Sequence, residues 1–190
     1  MTTAVIGATG HVGSEIVRGL LARGDAVTVL VRDPDKARRA FDQPDGLHIR
    51  ATRLDDPRDL TAALDGIRTV FIAMGSVGTE GVLQRIVISA AAQISSIEQV
   101  TRLSVLNASA GSLGINQRAH HSIDQFASST ALPYSTIRPA IFSASLLAAA
   151  PEVRASRTWT GLAGSGRIAT RPRPGCVCSP NRRSGARTTT

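Results

Sequence analysis

Cysteine is scarce in this chain, and its two cysteines stand close together. Cys176 and Cys178 lie near the end of the 190-residue sequence, and no histidine occurs from residue 151 onward. A Cys-x-Cys pair needs further ligands before it can hold a metal ion. We therefore expect incidental thiols there and no metal site.

Long apolar runs are also missing. No stretch of about 18 consecutive apolar residues occurs, which argues against a membrane span. Residues 1–8 lead directly into a strand pattern, without the charged and apolar regions of a signal peptide. With 42% hydrophobic residues, the chain has enough apolar side chains for the core of one ordinary domain. These features predict a cytoplasmic protein.

Acidic residues are rare at one end only. Residues 1–150 contain 14 of the 22 Lys and Arg and 13 of the 14 acids, which leaves a net charge of +1. Residues 151–190 contain the other 8 basic residues, all Arg, and one acid, which leaves +7. The positive charge therefore belongs to the tail, and the main body gives no sign of a nucleic-acid partner.

Apolar segments alternate with segments of helical period over most of the chain. Strands are predicted near residues 3–6, 26–31, 47–53, 68–74, 99–106 and 133–138, and helices near 11–23, 34–41, 57–64, 79–95 and 116–130. The strands are short and rich in Val and Ile, as expected when helices cover both faces of a sheet. This alternation predicts the α/β class, with a doubly wound, mostly parallel sheet and helices on both faces.

Three glycines stand where the first strand would pass into the first helix. Gly7 would permit a sharp turn, Gly10 would let backbone N–H groups approach a diphosphate, and Gly13 would let the helix pack close to the strand. The spacing is G-x-x-G-x-x-G. In the first βα turn of a doubly wound pattern it favours a cofactor site, and a structural turn without a ligand is the alternative.

The second predicted strand ends at a basic residue. An acidic residue near this position suits the ribose 2′-hydroxyl of NAD, whereas an arginine suits the 2′-phosphate of NADP. Arg32 therefore favours NADP over NAD, although Asp33 follows it directly. The alternative is that Arg32 is only a solvated charge.

Several segments together resemble a known family. The segments "GATGHVG", "VLVRDPDKA", "LDGIRTVFIA", "RLSVLNAS" and "LPYSTIRPAIF" are similar to the NmrA-like group of atypical short-chain dehydrogenase/reductases. That group includes NAD(P)H:quinone oxidoreductases and redox-sensing regulators. The resemblance covers about residues 3–146 and implies a Rossmann fold, with NADP lying along the carboxyl ends of the strands.

The resemblance also implies which residues meet the cofactor. The implied positions are Gly7, Thr9, Gly10, His11, Val12 and Gly13 at the phosphate turn, Arg32 at the 2′-phosphate, Leu54 by the adenine, Ala73, Met74 and Gly75 beside the ribose, Ser104 near the nicotinamide, and Pro139 at the entry to the substrate region. One departure is Arg53, because family members often have an aspartate there to hold the adenine amino group.

A second departure concerns proton transfer. The broader superfamily uses a Tyr-x-x-x-Lys pair, in which the lysine lowers the pKa of the tyrosine. This chain cannot form the pair, because its one tyrosine, Tyr134, and its one lysine, Lys36, lie far apart in the sequence. NmrA-like proteins characteristically lack the pair. A quinone substrate has less need of a positioned acid, because its reduced oxygens can take protons from water.

Two adjacent histidines are candidate proton donors. His120 and His121 lie near where the active-site helix of the family begins, and Asp124 follows His120 by four residues on the same helical face. The alternative, which we favour, is two surface histidines at a helix start, with Asp124 in an ordinary solvated pair. The catalytic candidates are then His120, His121 and Ser104.

The regular pattern ends near residue 148. We expect an NAD(P)-binding domain at residues 1–148, a remnant of a substrate-covering region at 149–170 and a disordered basic tail at 171–190. The segment "GSGRIA" at 164–169 fits the family, whereas the sequence after it resembles GC-rich coding sequence read out of frame. A frameshifted, truncated homologue is therefore one hypothesis. A natural disordered tail and a basic arm that binds nucleic acid are the others.

These observations predict an NADPH-dependent oxidoreductase that acts on a quinone or a similar small electrophile. A second hypothesis is a non-catalytic NADP-binding redox sensor that acts through a regulatory protein partner. A third is an inactive truncated homologue.

Overall fold

The computed structural model describes residues 2–139, 158–161 and 164–167. Strands and helices alternate from the start of the chain, as β1 (Thr2–Ile6), α1 (His11–Ala22), β2 (Ala26–Val31), α2 (Pro34–Phe41), β3 (Leu47–Ala51), α3 (Pro57–Leu64), β4 (Thr69–Ile72), α4 (Thr79–Ala91), β5 (Gln99–Leu103), α5 (Ile115–Ser128) and β6 (Tyr134–Ile137). The predicted α/β class is confirmed.

The six strands form one parallel sheet in the order β3-β2-β1-β4-β5-β6. This is the strand order of the Rossmann fold that the resemblance implies. The order reverses between β1 and β4, where Ile6 pairs with Ile72 on one side and with Leu30 on the other. In such sheets, ligands bind beyond the carboxyl ends of the strands at the point of reversal.

Two apolar clusters cover the two faces of the sheet. Neighbouring strand residues alternate between them, so that Val29 belongs to one cluster and Leu30 to the other. One cluster includes Val17 of α1 and Phe41 of α2. The other includes side chains of α3, α4 and α5, among them Leu64. Helices therefore lie on both faces, as predicted.

The elements differ from the predicted ones mainly at their ends. Strands β3, β4, β5 and β6 are each shorter than predicted, and α4 ends at Ala91, before the predicted residue 95. β5 ends at Leu103, so Ser104 follows the strand instead of ending it. After β4 and α4 the apolar sequence extends past the regular element, because Met74 and Ile94 also pack against the core.

Two helix starts show the capping that their sequences indicate. The side chain of Asp33 accepts from the backbone N–H groups of Asp35 and Lys36 at the start of α2, each at 3.0 Å. Asp56 accepts from the N–H groups of Arg58 and Asp59 at the start of α3. A proline occupies the first helical turn in both. The first turn of each helix is therefore fixed by local chemistry.

The chain divides into two units, Met1–Ala140 and Ile141–Thr190. In the second unit, β7 (Thr158–Gly161) and β8 (Gly164–Arg167) form an antiparallel pair in which Thr158 is opposite Arg167. The expectations for residues 171–190, including those for Cys176 and Cys178, lie outside the described ranges. Within those ranges, no helix is long and apolar enough to cross a membrane.

Candidate functional site

The turn between β1 and α1 is built around its glycines. Gly7 has a φ of 78°, and a Cβ atom placed on it would lie 2.1 Å from the carbonyl oxygen of Ala73 on the neighbouring strand end. A Cβ on Gly13 would lie 2.2 Å from the carbonyl oxygen of Gly7. Any larger residue would collide with backbone at both places. Gly7 and Gly13 therefore have the steric roles that the sequence predicts.

The helix that follows the turn presents its amino end without a side-chain cap. The N-cap residue of α1 is Gly10, and its N–H is bonded within the turn to the carbonyl oxygen of Gly7 at 3.1 Å. Helices α2 and α3, by contrast, each have an aspartate cap. An uncapped N-terminus concentrates backbone N–H donors and the positive end of the helix dipole, which suits an anion.

A cavity of about 280 Å³ lies along this turn at the carboxyl ends of β1, β2 and β4. Predicted cofactor residues that line it are Gly7, Thr9, Gly10, Arg32, Leu54, Ala73, Met74 and Gly75. Lys36 and Glu80 are further charged residues in its wall. The Glu80 carboxylate lies against Gly75, where a Cβ would come within 1.9 Å of Oε2. The cavity thus combines the uncapped helix with charges of both signs.

A second cavity, of about 420 Å³, shares Arg32 and Leu54 with the first. Its other lining residues are Ala51, Thr52, Arg53, Asp55, Asp59, Thr79 and Leu83. Arg32 therefore stands where the two cavities meet. Arg53, the departure from the family pattern, adds a second guanidinium and pairs with Asp55 at 3.4 Å. The neighbouring Asp33 points its Oδ1 into the α2 cap.

A buried polar cluster lies between β5, β6, α4 and α5. Its centre is Arg102, whose side chain is fully buried. The guanidinium donates to Gln84 Oε1 at 2.6 Å, to Asp124 Oδ1, and to His120 Nδ1 at 2.6 Å. A buried guanidinium is tolerated only when its donors are paired, and three neighbouring side chains supply the partners here.

His120 is buried within this cluster and is uncharged near neutral pH. Arginine has no acceptor, so His120 must accept at Nδ1 and keep its proton on Nε2. Burial, reinforced by the positive charge of Arg102, lowers the pKa of His120 to about 4. The favoured expectation of two surface histidines is therefore wrong for His120, which is 5% exposed. His121 is half-buried, and both lie well inside α5.

Asp124 is saturated with hydrogen bonds. Besides Arg102, it accepts from Tyr134 Oη and Ser104 Oγ, each at 2.9 Å, and from Arg138 at 3.1 Å. The expectation of an ordinary solvated pair is wrong, because the Asp124 carboxylate is buried and its strongest partner is Arg102. Burial raises the pKa of the Tyr134 phenol well above its usual value. Tyr134 is therefore a poor proton shuttle.

Comparison with known proteins identifies the family of this chain. The pattern of one protein family, described as NAD(P)H-binding, matches residues 7–157. The chain belongs to this NAD(P)H-binding family.

Relatives of this NAD(P)H-binding chain include reductases. Quinone oxidoreductase 2 of Escherichia coli (strain K12) is 29% identical over 173 residues, which cover 90% of this chain and 59% of the relative. NAD(P)H azoreductase of Xenophilus azovorans is 29% identical over 171 residues, 86% of this chain and 56% of the relative. The chain thus spans somewhat more than half the length of these relatives.

Solved structures share the fold. The NADPH-dependent quinone oxidoreductase QOR2 from Escherichia coli, solved with NADPH, matches with a TM-score of 0.71 and 27% identity. The match covers 80% of this chain and 53% of that one.

The predicted site residues fall into two groups in this NAD(P)H-binding chain. The eight residues that line the first cavity come together around the glycine turn. His11, Val12 and Gly13 lie in the first turn of α1 and are not among the lining residues. Ser104 follows β5 and donates its hydroxyl to the buried cluster, and Pro139 follows β6. Within the described ranges, no group of three or more His, Cys, Asp or Glu could hold a metal ion.

Sequence reasoning missed Arg102 and Gln84, which connect the two parts of the site. One signal for Arg102 was available, because strand alternation places it on the same face as Val100, which is fully buried. A charged residue on a buried strand face requires a partner of opposite charge, and Asp124 is the only acid in the sequence after residue 98 and before residue 152. No comparable signal marks Gln84.

Proposed function

We propose that this chain binds NADP(H) and works as an NADPH-dependent oxidoreductase on a quinone or a similar small electrophile. The observation that carries the proposal is the position of Arg32, where the cavity along the glycine turn meets the second cavity. A guanidinium there can bind a 2′-phosphate while the diphosphate lies on the amino end of α1. NADPH is also the cofactor with which the similar QOR2 of Escherichia coli was solved.

The shape of the glycine turn supports this proposal. The glycine cradle would be filled by any Cβ at Gly7 or Gly13, so its shape depends on bare backbone. In the proposal, Arg32 binds the 2′-phosphate and Leu54 lies by the adenine. Ala73, Met74 and Gly75 run beside the ribose, and Ser104 and Pro139 lie towards the nicotinamide. The phosphate turn consists of Gly7, Thr9, Gly10, His11, Val12 and Gly13. NAD, which lacks the 2′-phosphate, would bind less well.

The chemistry of the described residues favours an acceptor that needs no protein acid. Bound NADPH supplies a hydride. His120 is uncharged near neutral pH, and the Tyr134 phenol holds its proton tightly against Asp124. Neither is a good proton donor to a substrate oxygen. A quinone suits such a site, because its reduced oxygens can take protons from water. The relative from Escherichia coli is named a quinone oxidoreductase.

The weak proton donors His120 and Tyr134 also favour a second candidate function. A domain that binds NADP and has no well-placed proton donor among its described residues would suit a redox sensor with a regulatory protein partner. Turnover of NADPH with a quinone would exclude that role. We also propose that residues 149–170 are the remnant of a substrate-covering region.

The first test is ligand-dependent thermal stability. NADPH and NADP should raise the unfolding midpoint more than NADH and NAD do, because a ligand that binds only the folded chain stabilises it. Arg32→Asp should remove the preference for the NADP pair. Arg58→Asp makes the same charge change on an exposed residue that lines neither cavity, and it should keep the preference.

The outcomes separate the candidates. Shifts with the NADP pair, followed by quinone-dependent oxidation of NADPH, support the oxidoreductase. Shifts without turnover support the sensor. No shift with any of the four nucleotides contradicts the assignment of the cleft, and is the result expected of an inactive homologue.

A further inference from the structure

The segment after β4 is tied to the buried polar cluster by one side chain. Gln84, which is fully buried on α4, donates its amide N–H groups to the carbonyl oxygens of Gly75 and Met74. Its Oε1 accepts from Arg102 Nε at 2.6 Å. The amide of Gln84 thus has partners on both sides, and it joins the cluster to backbone that lines the cavity along the glycine turn.

We infer that Gln84 is a positioning residue, which transmits the rigidity of the Arg102–Asp124 cluster to the Met74–Gly75 wall of the cofactor cleft. The inference rests on the proposed function, because it assumes that this cleft binds NADP(H).

The wall needs such support. Residues 73–78 connect β4 to α4 outside any regular element and include two glycines. The N-cap of α4, Gly78, provides no side-chain cap. A further side-chain bond holds the segment at Ser76, whose Oγ donates to Asn116 Oδ1 on α5 at 2.8 Å. Backbone of this kind samples many conformations unless buried hydrogen bonds fix it.

The cluster at the other end of Gln84 is suited to hold it still. Arg102 is fixed by Asp124 and His120 as well as by Gln84, and Asp124 is fixed in turn by Ser104 and Tyr134. These six side chains are buried or half-buried, whereas Arg138, which also donates to Asp124, is exposed. Breaking any link would leave a buried polar group unpaired, so the network has one strongly favoured arrangement.

The position of the wall determines which part of the ligand it affects. Met74 and Gly75 line the cavity along the glycine turn together with Gly7 and Gly10, but they are not among the residues that line the second cavity. Loss of the Gln84 bond should therefore weaken contacts with the middle of a dinucleotide. Recognition of the 2′-phosphate at Arg32 should remain.

Gln84→Glu tests this with little change in shape. The variant keeps an oxygen that accepts from Arg102 Nε. A second carboxylate oxygen replaces the amide nitrogen that donates to the carbonyl oxygen of Gly75. We expect NADPH to bind at least about tenfold more weakly, because the carbonyl oxygens of Gly75 and Met74 both lose the amide donor of Gln84. The affinity for adenosine 2′,5′-bisphosphate, which carries the 2′-phosphate but lacks the nicotinamide half of the dinucleotide, should stay within about twofold, and the preference for NADPH over NADH should be kept.

Gln99→Glu is the matched control. Gln99 also donates its amide to a backbone carbonyl, that of Val100 at 3.1 Å, but it lies at the amino end of β5, away from both cofactor cavities. Gln99→Glu should leave the affinities for NADPH and for the bisphosphate unchanged. If Gln84→Glu does not fold, Gln84→Asn provides the same test, because the shortened amide cannot reach both Arg102 and Gly75. Dissociation constants are measured where each variant is fully folded.

Two results would overturn the inference. Equal NADPH affinity in the native chain and the Gln84 variant would show that the wall does not depend on Gln84. Equal losses for NADPH and the bisphosphate would show a general structural effect. Failure of the native chain to bind either ligand would instead overturn the proposed function, and the inference with it.

Discussion

The position of one proton determines what His120 can do. Because Nδ1 accepts from Arg102, the imidazole donates only from Nε2, and its neutral form is the one that fits the cluster. A histidine with a pKa of about 4 is almost entirely uncharged at neutral pH, so it is a poor general acid there. His121, its half-buried neighbour, lies outside the Arg102 cluster.

The depressed pKa of His120 predicts a pH-dependent stability. The folded state holds the imidazole neutral down to about pH 4, whereas the unfolded chain takes up the proton near the ordinary value of 6.5. This contribution is therefore fully present above pH 6.5 and is lost as the pH falls towards 4. Its upper limit is about 3 kcal/mol. His120→Gln, which keeps an acceptor for Arg102, should remove that part of the slope in urea unfolding, and His121→Gln should retain it. An unchanged slope in His120→Gln would contradict the prediction.

Helix α1 contains two glycines that differ in the space around them. Gly13 faces the turn, where a Cβ would lie 2.2 Å from the carbonyl oxygen of Gly7. Gly19 lies on the same helix, is exposed, and has nothing within 4 Å of the position of its Cβ. Close packing in the turn therefore requires that Gly13 has no side chain. Gly19 has no such role, and it only destabilises the helix through its greater conformational freedom.

Alanine at these two positions should therefore have opposite effects. Gly13→Ala should lower the free energy of unfolding by about 1–3 kcal/mol, because the backbone of the turn must move. Gly19→Ala should raise it by about 0.5–1 kcal/mol, through better helix propensity. Chemical denaturation of the two variants measures both values. Similar changes in the two variants would mean that the turn adapts to a Cβ at little cost.

Part of this element-level structure could be predicted from the sequence. Glycine spacing and apolar periodicity are local, and they located the βα turn and the starts of α2 and α3 correctly. The buried cluster could not be predicted in the same way. Arg102 is 18 residues from Gln84 and 22 from Asp124, and the contacts arise only when α4 and α5 pack on the same face of the sheet. Pairings of this kind depend on tertiary packing.

At the scale of the whole molecule, the sheet separates two apolar clusters. Val17 of α1 is fully buried on one face, and Leu64 of α3 is fully buried on the other. Each cluster contains side chains from the strands as well as from its own helices. The two faces should therefore contribute to stability independently, while the sheet between them unfolds as one unit.

Truncation of one residue on each face tests this arrangement. Leu64→Ala should cost about 2–5 kcal/mol and Val17→Ala about 1–3 kcal/mol, from lost burial and residual cavities. Because the two side chains belong to separate clusters, the double variant should cost the sum to within about 0.5 kcal/mol. Urea unfolding of the four proteins gives the coupling energy. A coupling well above that limit would show that the two faces share packing.

The strand order also has a consequence for the order of synthesis. All residues that line the cavity along the glycine turn lie between Ile6 and Glu80, and the four strands β3-β2-β1-β4 end at Ile72. A ribosome therefore completes this half of the sheet before it has made β5 or β6. The residues of the glycine turn are therefore synthesised before the residues of the buried polar cluster on β5, α5 and β6. The hydrogen bond between Gln84 and Arg102 can form only after Arg102 has been synthesised, and Asp124 follows later still. The residues of the cleft are therefore present before the cluster that, in our inference, holds its Met74–Gly75 wall in place.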